Sequence, residues 1–225
     1  MEDIVQITSF EEFRSITMGP LGFRGIFRGV PDQSYDLIPS IGRLNSSSRG
    51  KSGFPSFEKR IIRTFKKRAQ AHMDVLPSSE IEWLALAQHH GLPTRLLDWS
   101  YNPLVALFFA VSEDNDTASA VYLYRKTKVY DFEDFENPRK IKKNVVLRPV
   151  ALTKRIVAQK ALFTLHANPQ LEFTHKGRIT KLIIPTNKKN IFRATLKKFG
   201  VGFASLFPDL DGLSKEIIYN STFLE

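Results

Sequence analysis

No cysteine occurs in the 225 residues, which excludes a disulfide framework, a Cys-ligated zinc and a thiol nucleophile. Long apolar runs are missing as well. None approaches the roughly 18 residues that a membrane-spanning helix needs. The opening MEDIVQITSFEEF places acids where a signal peptide carries Lys or Arg, and it has no apolar h-region, so a soluble cytoplasmic protein with no membrane partner is expected. Negative charge is scarce: Asp+Glu 23 against Lys+Arg 33 leaves a net +10. Such a surplus favours polyanionic partners, whether nucleic acid, an anionic surface or a phosphate-bearing ligand. Several catalytic signatures are absent too. There is no G-x-S-x-G nucleophile elbow, no GxxxxGKS or GxGxxG phosphate loop and no HExxH. His89–His90 does not replace the last, because adjacent helical side chains point about 100° apart; no metal is expected.

What remains is an ordinary globular composition, 42% apolar and 25% charged, on a chain long enough for one domain with a buried core. The Ser/Gly-rich stretch Asn45–Gly53 reads as a mobile loop, and the tract Tyr130–Lys143 runs acids first, bases second. Neither has the character of an interdomain linker, so residues 1–225 are taken as one domain. Phe57, Ile61, Phe65 and Ala69 recur at helical spacing and predict an amphipathic helix over 57–73 with a basic outer face. Ser79 with Glu82 forms a capping box for a helix that Gly91 and Pro93 stop. Asn102-Pro103 opens a second apolar helix, and Asn187 a third that ends at Gly200. Leu21–Arg28, Ala118–Arg125, Lys160–His166, Arg178–Pro185 and Phe203–Phe207 read as strands. Helices early and strands later give an α+β fold.

The densest chemistry lies in QHHGLPTRLLDWSYNPLVALFFA, Gln88–Ala110, where Gln88, His89, Thr94, Arg95, Asp98 and Ser100 crowd between two apolar helices. Buried polar groups need partners, at about 1–3 kcal/mol for each one left without. Two readings are open. In one, these residues are a structural network with Asp98 paired to Arg95. In the other, they line a pocket for an anionic or amide-bearing ligand. The basic residues Lys59, Arg63, Lys66 and Lys67, with Lys188, Lys189, Lys197 and Lys198, either contact nucleic acid or are simply solvated.

The sequence resembles the FRG domain family, named for a Phe-Arg-Gly motif. Here that motif is Phe27-Arg28-Gly29, followed at the family's spacing by LIPSIGR, Leu37–Arg43. Further matching blocks are Glu82–Ala110, Arg155–His166 and Ser205–Leu213, so the resemblance covers about residues 20–215. The order of these blocks is in turn similar to that of ADP-ribosyltransferases. That similarity implies a mixed or antiparallel core sheet flanked by helices, with NAD as substrate. Arg28 would hold the NAD pyrophosphate as a bidentate partner. The segment Thr94–Ala110 would be a second core strand bearing hydroxyls or aromatics that enters a helix ending in Phe-Ala, and Asp209 or Asp211 the late carboxylate that stabilises an oxocarbenium-like transition state. The usual late Glu-x-Glu or Gln-x-Glu signature is missing. Asp209-x-Asp211 stands in its place in order, although Pro208 makes helix capping an equal explanation. Arg155, Gln159 and His166 are further candidates for the same pocket. An enzyme of this kind requires Arg28 and Asp98 to converge on one cavity. The resemblance implies a toxin or phage-defence effector acting on RNA, DNA or protein and partnered by an antitoxin. The alternative is a non-catalytic module that uses only its basic outer faces.

Overall fold

The computed structural model describes residues 3–45, 53–126, 128–135, 137–175 and 177–223. Eight strands form one mixed sheet in the order β1-β8-β4-β2-β3-β7-β6-β5. They are β1 (Asp3–Gln6), β2 (Gly25–Val30), β3 (Leu96–Ser100), β4 (Ser119–Arg125), β5 (Val129–Asp131), β6 (Val145–Arg148), β7 (Ala161–Leu165) and β8 (Ile179–Ile184). The outer pairs β1–β8 and β5–β6 are parallel and the inner pairs antiparallel. Around the sheet stand α1 (Phe10–Thr17), α2 (Gly53–Ala69), α3 (Glu80–His89), α4 (Pro103–Val111), α5 (Lys154–Ala158), α6 (Lys189–Lys198), α7 (Phe203–Leu206) and α8 (Leu210–Phe223). The α+β architecture with a mixed, helix-flanked sheet is as the sequence implied. Among the described residues no helix is long and apolar enough to cross a membrane.

Strand alternation sorts the core. In β4, Val121 and Leu123 enter a cluster with α4 and α6, while Ala120, Tyr122 and Tyr124 pack on the opposite face with Trp99 and Phe173. On the helical face a second cluster joins Ile62 of α2 and Ile81, Leu84 and Ala85 of α3 to Leu96, Phe163 and Leu165. The helical face therefore has two packed halves, with β2 and β3 at their junction. Those two strands pair at a single position, Phe27 with Ser100. Beyond it the sheet is split.

Local signals set several boundaries. Asn102 caps α4 through Oδ1, which accepts from Leu104 N at 2.9 Å, and Ser79 Oγ accepts from Glu82 N at 3.2 Å. Glu82 does not complete the box; its carboxylate accepts from Ser78 N and Ser78 Oγ instead. Gly91 and Gly200 take the left-handed conformation, φ +81° and +68°, that ends a helix cheaply only for glycine. Gly29 has a different reason. A Cβ there would lie 1.8 Å from Ala106 O, so β2 sits directly on the α4 backbone.

Other expectations change. Residues Phe203–Phe207 were predicted as a strand, but Phe203–Leu206 is a helix: Phe203 packs on Phe108 and Phe207 on Phe109, a spacing of four. A short apolar run does not reveal its period. The strand predicted from Leu21 begins only at Gly25; turns from Gly19 to Gly25 precede it, and Phe23 is exposed. Asn187 is not a cap, since α6 starts after a 3-10 turn over Thr186–Lys188 with no side-chain cap. The helix predicted over 57–73 runs from Gly53 to Ala69, with a 3-10 turn at Gln70–His72. Strand β3, which carries Asp98, is not legible in the residue pattern; only the resemblance implied a strand entering a helix within Thr94–Ala110. Of the loop expected over Asn45–Gly53, residues 46–52 lie outside the described residues.

Candidate functional site

A cleft of about 240 Å³ opens where the two halves of the helical face meet. Its floor is sheet: Phe27, Asp98, Ser100, Ala161 and Phe163. Its walls come from α3 (Ala85, Gln88, His89), α4 (Val105, Ala106, Phe109) and α5 with its C-cap (Arg155, Ile156, Gln159). Arg28 reaches it at the split between β2 and β3, where its Nη1 donates to the Asp98 main-chain oxygen at 2.8 Å and lies 3.7 Å from the Asp98 carboxylate. Its Nε is buried and, among the described residues, has no hydrogen-bond partner. Burial pulls the Arg28 guanidinium below its ordinary pKa, Asp98 opposing and Arg43 reinforcing the effect. It stays protonated, as arginine does in proteins.

Asp98 is held from a second side. Gln88 Nε2 donates to its Oδ1 at 2.7 Å. The Gln88 amide is oriented by Thr94, whose hydroxyl donates to Gln88 Oε1 and accepts from Leu96 N at 3.1 Å. Thr94 in turn is gripped by the LIPSIGR segment: Ser40 Oγ accepts from Thr94 N at 3.2 Å, and Ile41 N donates to Thr94 O at 3.3 Å. One chain of hydrogen bonds thus runs from Ser40 through Thr94 and Gln88 to Asp98 and Arg28. The sequence blocks Phe27–Gly29, Leu37–Arg43 and Gln88–Ser100 are one constellation in space.

Electrostatics at the cleft favour an anion. Arg155 lies over the Phe207 ring at 4.4 Å, its pKa lowered by burial and partly restored by Asp98 and Asp209. His89 is pulled down by burial, then by Arg155 and His90, with Asp209 opposing, so its neutral form is favoured. Two guanidinium groups therefore face one lining carboxylate. On the other face of the sheet, Trp99 Nε1 donates to Thr164 Oγ1 at 3.0 Å, and the Thr164 hydroxyl contacts His166 Nε2 at 3.0 Å. The Thr164 hydroxyl, which accepts from Trp99, is placed to donate its own hydrogen to Nε2, and among the described residues the buried His166 Nδ1 has no hydrogen-bond partner. Burial, then Arg28 and Arg95, hold the His166 pKa down to about 3.

Of the residues singled out from sequence, Arg28, Gln88, His89, Asp98, Ser100 and Gln159 line the cleft together, with Arg155. Ser100 Oγ donates to Gln159 O, and Gln159 Nε2 to Leu206 O, so both also tie the wall together. Thr94 is fully buried behind Gln88. Arg95 is not a ligand contact: it forms a buried bidentate pair with Glu58 at 2.6 and 2.5 Å and donates to His166 O and Pro138 O. The alternative pairing of Asp98 with Arg95 is likewise replaced, because residues three apart on an extended chain do not share a face. Asp209 and Asp211 are exposed and do not line the cleft; Asp209 Oδ1 caps α8 through Gly212 N at 2.7 Å. The one signal that exposes the Arg95 partner is Glu58, an acid on the apolar face of an amphipathic helix.

The basic surface is also rearranged. Lys59, Arg63 and Lys67 are exposed on α2, and Lys197 and Lys198 on α6, but Lys66 pairs with Glu80. Lys188 is half-buried, and Lys189 is buried on Asn115.

The FRG domain profile matches residues 24–119, which include the Phe27-Arg28-Gly29 motif, the LIPSIGR block and the central block through α4. The blocks Arg155–His166 and Ser205–Leu213 lie outside that match. No curated protein and no solved structure matches the chain. Arg28 and Asp98, which meet at the split of the sheet, both lie inside that match, and over residues 24–119 the chain is similar to the FRG domain family.

Proposed function

We propose that the cleft binds NAD as a substrate and that the chain is an ADP-ribosyltransferase-like transferase acting as an effector. One observation carries the reading: Arg28, whose buried Nε has no partner among the described residues, is fixed beside Asp98 at the mouth of a split sheet. A guanidinium so placed suits a pyrophosphate. The walls supply Phe109, Phe163 and the amides of Gln88 and Gln159, a surface suited to an aromatic carboxamide. At about 240 Å³ the cleft is smaller than pockets that enclose drug-sized ligands, roughly 300–1,000 Å³, so it suits one end of a dinucleotide with the rest across the rim. The Asp209 carboxylate is committed to a helix cap, and the Asp98 carboxylate, 58% exposed, takes the charge-stabilising role. In the reaction the bond from the ribose C1′ to the nicotinamide nitrogen breaks, and its electron pair leaves with nicotinamide. The acceptor's nucleophilic atom then bonds to C1′ and gives up its proton to solvent. The surplus of positive charge favours nucleic acid as acceptor, with a protein side chain next.

The exposed Lys59, Arg63 and Lys67 favour a second reading, a non-catalytic nucleic-acid-binding module. Nicotinamide release from NAD, with RNA, DNA and protein acceptors, separates the two. Release that Arg28→Ala and Asp98→Asn reduce at least a hundredfold supports the transferase. No release with any acceptor, alongside nucleic-acid binding that Arg28→Ala leaves intact, supports the module.

A further inference from the structure

A groove of about 620 Å³ runs between α2 and α3 on the side away from the cleft. Its floor is Ile61, Phe65, Met73, Leu86 and Leu92, and its rim is Arg60, Arg68, His72 and His90, with no acid among the lining residues. Past Met73 and the exposed Asp74, Val75 and Leu76 are exposed as well, 81% and 48%. Apolar surface of this extent rimmed by polar groups marks an interaction site.

We infer that this groove docks an acidic amphipathic helix of a partner protein. Each part of the inference has its own ground. A trough between two helices accepts side chains spaced i, i+3/i+4 and i+7, the helix-in-groove mode, and it offers no strand edge for an extended peptide. The floor is apolar, which rejects a nucleic-acid backbone although the rim is basic. The rim carries two fixed positive charges and two histidines, and so selects Asp and Glu on the flanks of the docked helix. Helix α3 belongs to both sites: Leu86 and His90 face the groove, while Ala85, Gln88 and His89 line the cleft. A docked partner therefore bears on the helix that orients Gln88 against Asp98. The docking itself does not depend on the NAD reading.

The test uses two fluorescein-labelled 16-residue peptides on the full chain, both with Leu at i, i+3, i+4 and i+7 repeats. One has Glu at the remaining positions and the other Lys. Saturable binding of the Leu/Glu peptide is expected, with the Leu/Lys peptide at least tenfold weaker. Arg60→Glu with Arg68→Glu, both at the rim, should weaken the Leu/Glu peptide at least tenfold and strengthen the Leu/Lys peptide. Phe65→Ser, checked for an intact fold by circular dichroism, should weaken both. Arg28→Ala should change neither. Absence of binding, equal binding of the two peptides, or competition by a single-stranded oligonucleotide that the rim variants remove while Phe65→Ser does not, each overturns the inference; the last would assign the face to nucleic acid.

Discussion

At the scale of single residues, two arginines only 67 positions apart do opposite work. Arg95 and Glu58 are both buried, with Glu58 at 0% exposure, so Arg95→Ala strands a carboxylate in the core. The expected cost is about 3–5 kcal/mol, read as a large fall in the thermal midpoint. Arg28 faces a carboxylate that is 58% exposed, and water can take over when it is removed. Arg28→Ala should cost no more than about 1 kcal/mol while abolishing NAD binding measured by calorimetry. A midpoint drop as large as that of Arg95→Ala would make Arg28 a structural residue first. His166 supplies a pH prediction. Its folded pKa of about 3 lies below the unfolded 6.5, so between those values the unfolded chain binds the extra proton. Stability from this group is complete above pH 6.5 and is lost as pH falls toward 3, at up to about 1.4 kcal/mol per pH unit. Denaturant midpoints from pH 4 to 7 should rise accordingly, and the His166 ring should show no NMR titration between pH 5 and 8. A ring that titrates near 6.5 contradicts the buried, neutral assignment.

At the scale of elements, the contact of β2 with α4 sets the site. Because a Cβ on Gly29 would meet both Ala106 O and Ala110 N, neither of which is a flexible side-chain end, Gly29→Ala must push the strand off the helix. The expected loss is about 2 kcal/mol or more, seen as a lower denaturant midpoint at unchanged slope. NAD affinity should fall with it, since Arg28 is the next residue along the strand. A variant of wild-type stability would show that α4 yields more easily than its hydrogen-bonded backbone implies. This contact also explains the three-residue motif: Phe27 fills the core, Arg28 reaches the cleft and Gly29 allows the close approach. Helix α3 shows how far local signals go. Its cap, stop glycine and apolar body are legible in sequence. That its two faces serve a cleft and a groove is a matter of what packs beside it.

For the whole molecule, the basic surface divides into two patches that different parts of the fold carry. Helix α2 packs on the cluster with α3, and α6 on the cluster with α4. If nucleic acid binds along α2 through Lys59, Arg63 and Lys67, three phosphate contacts give a salt slope of about −2.7 on duplex DNA, roughly a fortyfold loss of affinity from 50 to 200 mM salt. Reversing those three charges should flatten the slope and leave nicotinamide release without an added acceptor unchanged. An unchanged slope would mean that the patch is only solvated. Lys189→Glu is expected to lower stability instead, because Lys189 is buried on Asn115. The sequence by itself determined the α+β class, the caps at Ser79 and Asn102, the helix stops at Gly91 and Gly200, and the residues Arg28, Gln88 and Asp98 as the place to look. All of these rest on interactions within a few residues or on motif spacing, which a linear chain carries openly. Only the tertiary structure decided that Asp98 meets Arg28 across 70 residues, that Arg95 belongs to Glu58, that Asp209 is a cap and that Lys189 is buried. Those outcomes depend on sheet order and on the split between β2 and β3. The energy of a buried charge is set by the partner that packing brings to it, and that partner is not a neighbour in sequence.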